Sequence, residues 1–411
     1  MNLLPQRKLE PLALGLLLPL IIAVKEWPVL ADPRFWSEEG FLYSTFRTLP
    51  AWQALTHIYL GSYQLLNDLF VWISTKAPLA FAPAVTTYLA GFLLIVIGLQ
   101  LAAVARSYRF PALISLCLIS AVAMLWPWYE IALNATNTQW LAGLSVLLVL
   151  VMPADEIARH PRLTVAWLLV CGLSGISAVL SAPAFALRWL LERRRVFLVC
   201  LGSLSVAAAL QLAMVLSHEI GARPFKIEPM RMIAAAIIQT VVDPVFGHSR
   251  ASQLGQAVVD GSWLSLAAVT AILMACVRLA VTAVRQSRER TIVLTLLLTW
   301  PAVTLIQSIA TLRSADEHLT GWHGRYFVYG AVCFCLLLAF AARDGSRAVA
   351  TTSLVALAVI TPVGIAERLT NRWVGVFLSG PSWSDAARVC GSSRPCELPV
   401  WPAPLKIVVT D

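Results

Sequence analysis

Carboxylates in an apolar chain have to be hydrated, paired or used, and the first three after the opening hydrophobic run lie close together. They are Asp32, Glu38 and Glu39, within Ala31-Asp32-Pro33-Arg34-Phe35-Trp36-Ser37-Glu38-Glu39-Gly40. One such group can take a proton from a sugar or lipid hydroxyl as general base, while its neighbour holds a partner or a metal. A solvated loop with acids at a helix N-terminus accounts for the same spacing. Late in the chain, RSADEHLTGWHGRY supplies Arg313, His318, His323 and Arg325. Arginine suits bidentate phosphate contact, and histidine can donate one hydrogen bond and later a proton. Arg325 beside Tyr326 also fits an anchor at a membrane interface. Between these clusters, Asn134, Asn137, Gln139 and Trp140 can line a sugar site through amide hydrogen bonds and ring stacking. Capping by Asn137 and an interfacial Trp140 is the plainer account. His57, His218 and His248 are taken as ordinary loop histidines.

The elements that must position these groups follow from composition. Of 411 residues, 59% are hydrophobic and 13% charged, against about 25% charged in soluble domains; mean hydropathy is +0.76. Apolar runs of about 20 residues recur, each able to cross a bilayer as a helix. A soluble enzyme, a fibrous protein and a disordered chain are excluded, which leaves an all-α polytopic membrane protein. Its partner is the bilayer. The net charge of +9 does not imply nucleic acid, because the basic residues follow the spans instead of forming one face.

We place about eleven spans at 9–30, 84–105, 111–129, 137–152, 163–180, 182–191, 196–217, 262–284, 291–311, 326–341 and 348–366. Arg7 and Lys8 put the N-terminus in the cytoplasm, and the first run is a retained helix, not a removed signal peptide. The stretches 1–8, 106–110, 153–162, 192–195, 285–290 and 342–347 then fall inside, with 14 of the 31 Lys and Arg in 39 residues. The outer stretches, 163 residues long, hold another 14. The C-terminal tail comes out periplasmic. Residues 1–366 form the transmembrane domain and 367–411 an external cap.

Within this frame, 163–191 is broken midway by small residues and Pro183, which predicts two half-helices facing an internal site; one kinked helix is the other reading. The first external loop, 31–83, carries one or two interfacial helices in its stretch 61–80. The loop 218–261 is a lid, an acceptor platform or a structural loop. Cys390 and Cys396, six positions apart outside, suit a disulfide, while the other cysteines sit in apolar spans.

Here the sequence resembles the bacterial C-type (GT-C superfamily) glycosyltransferases. Asp32-Pro-Arg-Phe-Trp36-Ser-Glu38-Glu39-Gly40 after an N-terminal helix looks like their first-loop acidic motif. Asn134-Ala-Thr-Asn137-Thr-Gln139-Trp140 looks like an Asn-x-Gln-Trp signature of multi-span members, and His323-Gly-Arg325-Tyr326-Phe327 is similar to their late Arg-Tyr-Phe motif. One departure is Glu38-Glu39 where the commonest pair is Glu-Asp, so which carboxylate is the base, and whether a metal binds, stays open.

The resemblance implies an inner-membrane enzyme that moves a sugar from a polyprenyl-phosphate donor to an envelope glycan or lipid-linked acceptor on the periplasmic face. The reaction is an in-line displacement, usually inverting. Glu38 or Glu39 deprotonates the acceptor, and Arg325, His323, Arg313 and His318 face the donor phosphate. No cofactor is certain; a divalent cation, Mg or Mn, would sit on Glu38 and Glu39. No Gly-rich phosphate loop is present, in keeping with a lipid-linked donor. A flippase or transporter would show repeats and ionisable groups deep in its spans. A polysaccharide polymerase would use a large late loop.

Overall fold

The computed structural model describes residues 11–59, 62–217, 228–310, 315–320, 324–370, 380–390, 395–402 and 405–409. Each apolar segment expected to be a span is helical over most of its described length, from Pro11–Lys25 and Ala82–Ser107 through to Val328–Asp344 and Arg347–Thr370. Six helices among the described residues are long and apolar enough to cross a bilayer: Leu79–Ser107, Arg195–Met214, Pro229–Phe246, Trp263–Gln286, Gly324–Asp344 and Arg347–Thr370. The remaining apolar helices are shorter, such as Ala112–Met124 and Thr138–Val151. The helical architecture suits a membrane; helix length alone does not supply eleven full crossings.

Burial explains the arrangement. Helix Val328–Asp344 is buried from Val328 to Ala341 and forms the centre of the bundle. Helix Trp263–Gln286 instead shows Leu264, Leu266, Met274, Val277 and Val281 on its exposed surface. An apolar face of that size is costly in water and natural against lipid. Helices Pro11–Lys25 and Ala82–Ser107 meet backbone to backbone, since a Cβ on Gly98 would lie 2.1 Å from the carbonyl oxygen of Gly15. Small residues permit that approach where polar water is not available to drive packing.

The bundle has two chemically distinct ends. At one, stretches expected inside touch each other: Arg106 pairs with Glu156 at 3.3 Å, Arg194 with Asp155, and Ser287 donates to Asp344 at 3.0 Å. Arg343 also donates to the Tyr108 carbonyl at 2.6 Å. At the other end, Lys25 donates to the Leu125 carbonyl at 3.0 Å, Arg368 pairs with Glu26 at 3.1 Å and Arg325 with Glu130 at 2.5 Å. Described stretches that share a predicted side thus meet at one end of the bundle.

Three expectations are corrected. The fold is not strictly all-α, because Ile58–Tyr59 pairs with Ser62–Tyr63 and Cys396–Pro399 with Lys406–Val409 as small antiparallel hairpins. The segment 218–261 is no plain loop, since Pro229–Phe246 is an apolar helix and His248–Val259 another. The first of these does not run from end to end. Arg231 near its start pairs with Asp316 at 2.7 Å, while beyond its C-terminus His248 stacks on Trp126 and Ser249 bonds Glu367. Both its termini thus sit at the Glu130–Arg325 end. Third, the broken segment has three pieces, Pro161–Leu173, Ile176–Val179 and Ala182–Glu192. Its break at Gly175 lies against the start of Thr138–Val151, where a Cβ would come within 2.4 Å of Gln139 Cβ.

The cap docks on the first loop. Trp401 donates its amide to the Phe35 carbonyl at 2.8 Å, and Arg34 lies over the Trp401 ring at 5.2 Å. Cys390 and Cys396 are joined as a disulfide with Cα atoms 5.5 Å apart. Alkylation of the denatured, unreduced protein followed by mass measurement should therefore label six cysteines, and labelling of eight would contradict the bridge. Replacing the pair with serines should cost about 2 kcal/mol, the value for closing so short a loop, read as a lowered Tm.

Candidate functional site

Glu39 is the hinge of the site's construction. It is buried in helix Ser37–Phe46, where its Oε2 accepts the Trp36 amide at 2.8 Å and closes a capping box. Its Oε1 accepts the amide of Ala135, 96 positions away. One side chain thereby satisfies the start of a helix and fastens the first loop to the segment 132–137. With both oxygens committed to backbone donors, Glu39 is a clamp and not the free base that its sequence position suggested. Burial pushes its carboxyl up to about 7, against the pull of those amides.

The segment fastened in this way is held from within. Asn134 donates to the Glu130 carbonyl at 2.7 Å and accepts the Asn137 amide at 3.0 Å, while Asn137 Nδ2 donates to the same carbonyl at 2.9 Å. These amides brace a tight turn in which Leu133 takes a positive φ of 61°. Asn134 and the Asn137 Nδ2 thus act as scaffold, their hydrogen bonds made to the chain itself, and not as the sugar ligands expected.

What the brace presents is Glu130, a residue that the sequence reasoning passed over. It sits in the short helix Trp128–Ile131. Arg325 Nη1 donates to its Oε1 at 2.5 Å, and the two side chains are 7% and 18% exposed. Glu130 Oε2 is buried without a hydrogen-bond partner among the described residues. Burial raises the Glu130 carboxyl, and Arg325 pulls it back. Glu38, half-buried and bonded by Ser37 Oγ at 3.2 Å, lies within electrostatic reach of both Glu130 and Arg325. Two carboxylates and one guanidinium from three remote stretches therefore converge at one end of the bundle.

Aromatic rings wall this cluster. Trp140 stands edge-on to Tyr326 at 5.1 Å, and Tyr326 edge-on to His318 at 5.7 Å. Arg325 lies 5.2 Å from the Tyr326 ring centre. Trp140 Nε1 is buried with no hydrogen-bond acceptor among the described residues. Gln139 is half-buried beside the Gly175 break. The late loop and the fourth apolar helix are thus brought together as expected. Arg313 and His323 lie outside the described residues.

Asp32 takes a different role from the one anticipated. It pairs with Arg34 at 2.6 Å and accepts Ser382 Oγ at 3.1 Å, so it docks the cap. Both Glu39 oxygens, which a cation on Glu38 and Glu39 would share, already accept backbone amide protons. Among the described residues no group of three or more His, Cys, Asp or Glu gathers as a metal site.

His248 also departs from expectation. Its Nδ1 is 2.9 Å from Asp243 Oδ2, and its ring stacks on Trp126 at 4.3 Å. A polar pair in so apolar a stretch as IAAAIIQTVVDPVFGH was a usable signal, masked by treating the segment as loop. Glu130 in WPWYEI carried the same signal, a lone acid amid aromatics.

No known family model matches the chain, and neither any curated protein nor any solved structure does.

The clamp makes Glu39 and Glu38 separable. Glu39→Gln turns an N–H toward a backbone N–H and should cost about 1–3 kcal/mol, whereas Glu38→Gln should stay within about 0.5 kcal/mol, both read by thermal unfolding in detergent. Equal effects would contradict the clamp. Because the folded Glu39 carboxyl titrates at about 7, above its unfolded value of about 4.5, its stability contribution is present below that lower value and lost as pH rises through about 7. Wild type should therefore gain stability over Glu39→Gln as pH falls from about 8 to about 5.

Proposed function

We propose that this protein is an integral membrane glycosyltransferase that takes a sugar from a polyprenyl-phosphate donor and passes it to an envelope glycan or lipid-linked acceptor. In this reading the Glu130–Arg325 end of the bundle faces the periplasm of a bacterial inner membrane, with the basic end in the cytoplasm and eleven helical segments embedded. The single observation that carries it is the convergence of Glu38, Glu130 and Arg325 beside an aromatic wall.

The chemistry divides among these groups. Glu38 keeps a carboxylate uncommitted to backbone and takes the proton of the acceptor hydroxyl as that oxygen attacks the anomeric carbon. Arg325 meets the donor phosphate, where negative charge grows as the sugar departs. Glu130 is a positioning residue that fixes the guanidinium before donor arrives. The donor's phosphodiester monoanion, and more strongly the departing phosphate dianion, then competes with Glu130 for the same N–H groups. Trp140 and Tyr326 offer apolar faces to a sugar ring. In-line attack gives inversion. The resemblance to the C-type glycosyltransferases supports the same assignment of the first-loop acid and the late arginine.

A flippase for lipid-linked sugars is the second reading. Asp68, fully buried with an oxygen that lacks a hydrogen-bond partner among the described residues, is the kind of deep ionisable group a transporter uses. Turnover separates the two: a transferase releases polyprenyl phosphate, and a flippase leaves donor intact.

Purified protein in lipid nanodiscs should release polyprenyl phosphate from at least one member of a panel of synthetic polyprenyl-phosphate hexoses and pentoses, supplied with extracted envelope glycan. Glu38→Gln should slow release about 10²–10⁴-fold without unfolding. Arg325→Lys should raise KM for the donor. Arg325→Ala is a poor probe, because it strands a buried Glu130 at a cost of about 3–5 kcal/mol. Full activity in Glu38→Gln would move the base elsewhere.

A further inference from the structure

The glycosyl-transfer reading leaves one half of the reaction unassigned: Glu38 removes a proton, but nothing yet supplies one to the leaving lipid phosphate. We propose that His248, oriented by Asp243, is the acid that protonates that phosphate; the assignment rests on the proposed transfer reaction. His248 begins helix His248–Val259, and Asp243 begins the preceding turn, Asp243–Phe246. Gly247 joins them at φ 95°, and a Cβ there would come within 2.3 Å of Glu367 Oε1. The chain is thus bent sharply enough for a carboxylate to reach back to the ring five residues later.

The geometry is that of an oriented imidazole. Asp243 Oδ2 holds Nδ1 at 2.9 Å, with the two side chains 6% and 14% exposed. A carboxylate on Nδ1 fixes the ring's orientation and leaves Nε2 as its other polar atom. Nε2 makes no hydrogen bond with a described residue and remains available. Trp126 stacks beneath the ring, its plane tilted by 9°. The same indole is 5.0 Å from the Tyr129 ring and adjoins Gly324, next to Arg325. Tyr129 feels Glu130, Arg325 and Asp243 together. The dyad therefore borders the phosphate-binding arginine across one or two aromatic rings.

As the bond from the anomeric carbon to the phosphate oxygen breaks, its electron pair goes to that oxygen, which takes the proton from His248 Nε2. The acceptor oxygen forms the new bond to carbon and gives its proton to Glu38. Glu38 ends protonated and His248 neutral, and exchange with water restores both. A merely structural Asp–His contact between two helix ends would stabilise the fold and be indifferent to the leaving group.

That difference is the test. Wild type, His248→Gln and Asp243→Asn are compared in nanodiscs on two synthetic donors of the same sugar, a polyprenyl phosphate and its difluoromethylene-phosphonate analogue. The fluorinated phosphonate leaves as a weaker base and needs less protonation. His248→Gln should slow the phosphate donor about 10²–10⁴-fold and the fluorinated donor less than about tenfold. Asp243→Asn should fall between, and it carries the comparison if His248→Gln does not fold. If wild type rejects the fluorinated donor, the alkaline fall of kcat on the phosphate donor decides: it should vanish in His248→Gln. Other groups that could shift that limb are Lys25, Glu26, Tyr129, Asp316, Glu317, Glu367 and Arg368, and none is altered in these variants. Equal slowing on both donors, or an unchanged alkaline limb, would overturn the assignment. Failure of wild type on every donor would instead reject the transfer reading itself.

Discussion

A carboxylate and a guanidinium buried at one end of an apolar bundle can only persist together, and the Glu130–Arg325 pair sets the geometry around it. Removing either partner leaves an uncompensated charge where water is scarce. The pair ties the turn after Ala112–Met124 to the entry of the central helix Val328–Asp344, which no apolar contact could register so sharply. Around it the other polar devices have local tasks. Glu39 pins the first loop to the same turn, Asn134 and Asn137 stiffen that turn, and Asp32 with Arg34 seats the C-terminal cap. The result is a rigid polar end on a helical bundle whose outer helices, such as Trp263–Gln286, present apolar side chains outward.

Rigidity of this sort is what a transfer reaction needs. A base, a phosphate-binding cation and an acid have to be held within reach of one another without chain rearrangement at the moment of reaction. In the proposed reaction they would come from the first loop, the late loop and the Asp243–His248 bend, segments well separated in the chain. The low dielectric of the surroundings strengthens each charge interaction once substrate excludes water.

Much of this organisation was legible in the chain. Apolar runs located the helices, because a backbone in lipid can satisfy its hydrogen bonds only within itself. Clusters such as Arg193-Arg194-Arg195 marked one end, and the structure brings those stretches together. Small residues around Gly175 announced the broken segment, and two outer cysteines announced the disulfide. What the sequence concealed were tertiary commitments. Glu39 is set apart from Glu38 by its place three residues into a helix, where it accepts the Trp36 amide, and by the arrival of the Ala135 amide. Asn134 looked like a ligand because its turn partners are invisible until the backbone folds. Glu130 and His248 were overlooked for a different reason, since each lies in a stretch dominated by aromatic or aliphatic neighbours. A single polar group in such a stretch was the signal, and it was there to be read.

The most direct measurement is glycan mass spectrometry on envelope material from a host lacking this protein, complemented with wild type or with Glu38→Gln. The account predicts a sugar that is lost on deletion, restored by wild type and not restored by Glu38→Gln expressed at the same level. Equal restoration by the variant would contradict the central place given to Glu38. A glycan unchanged by the deletion would contradict transfer altogether.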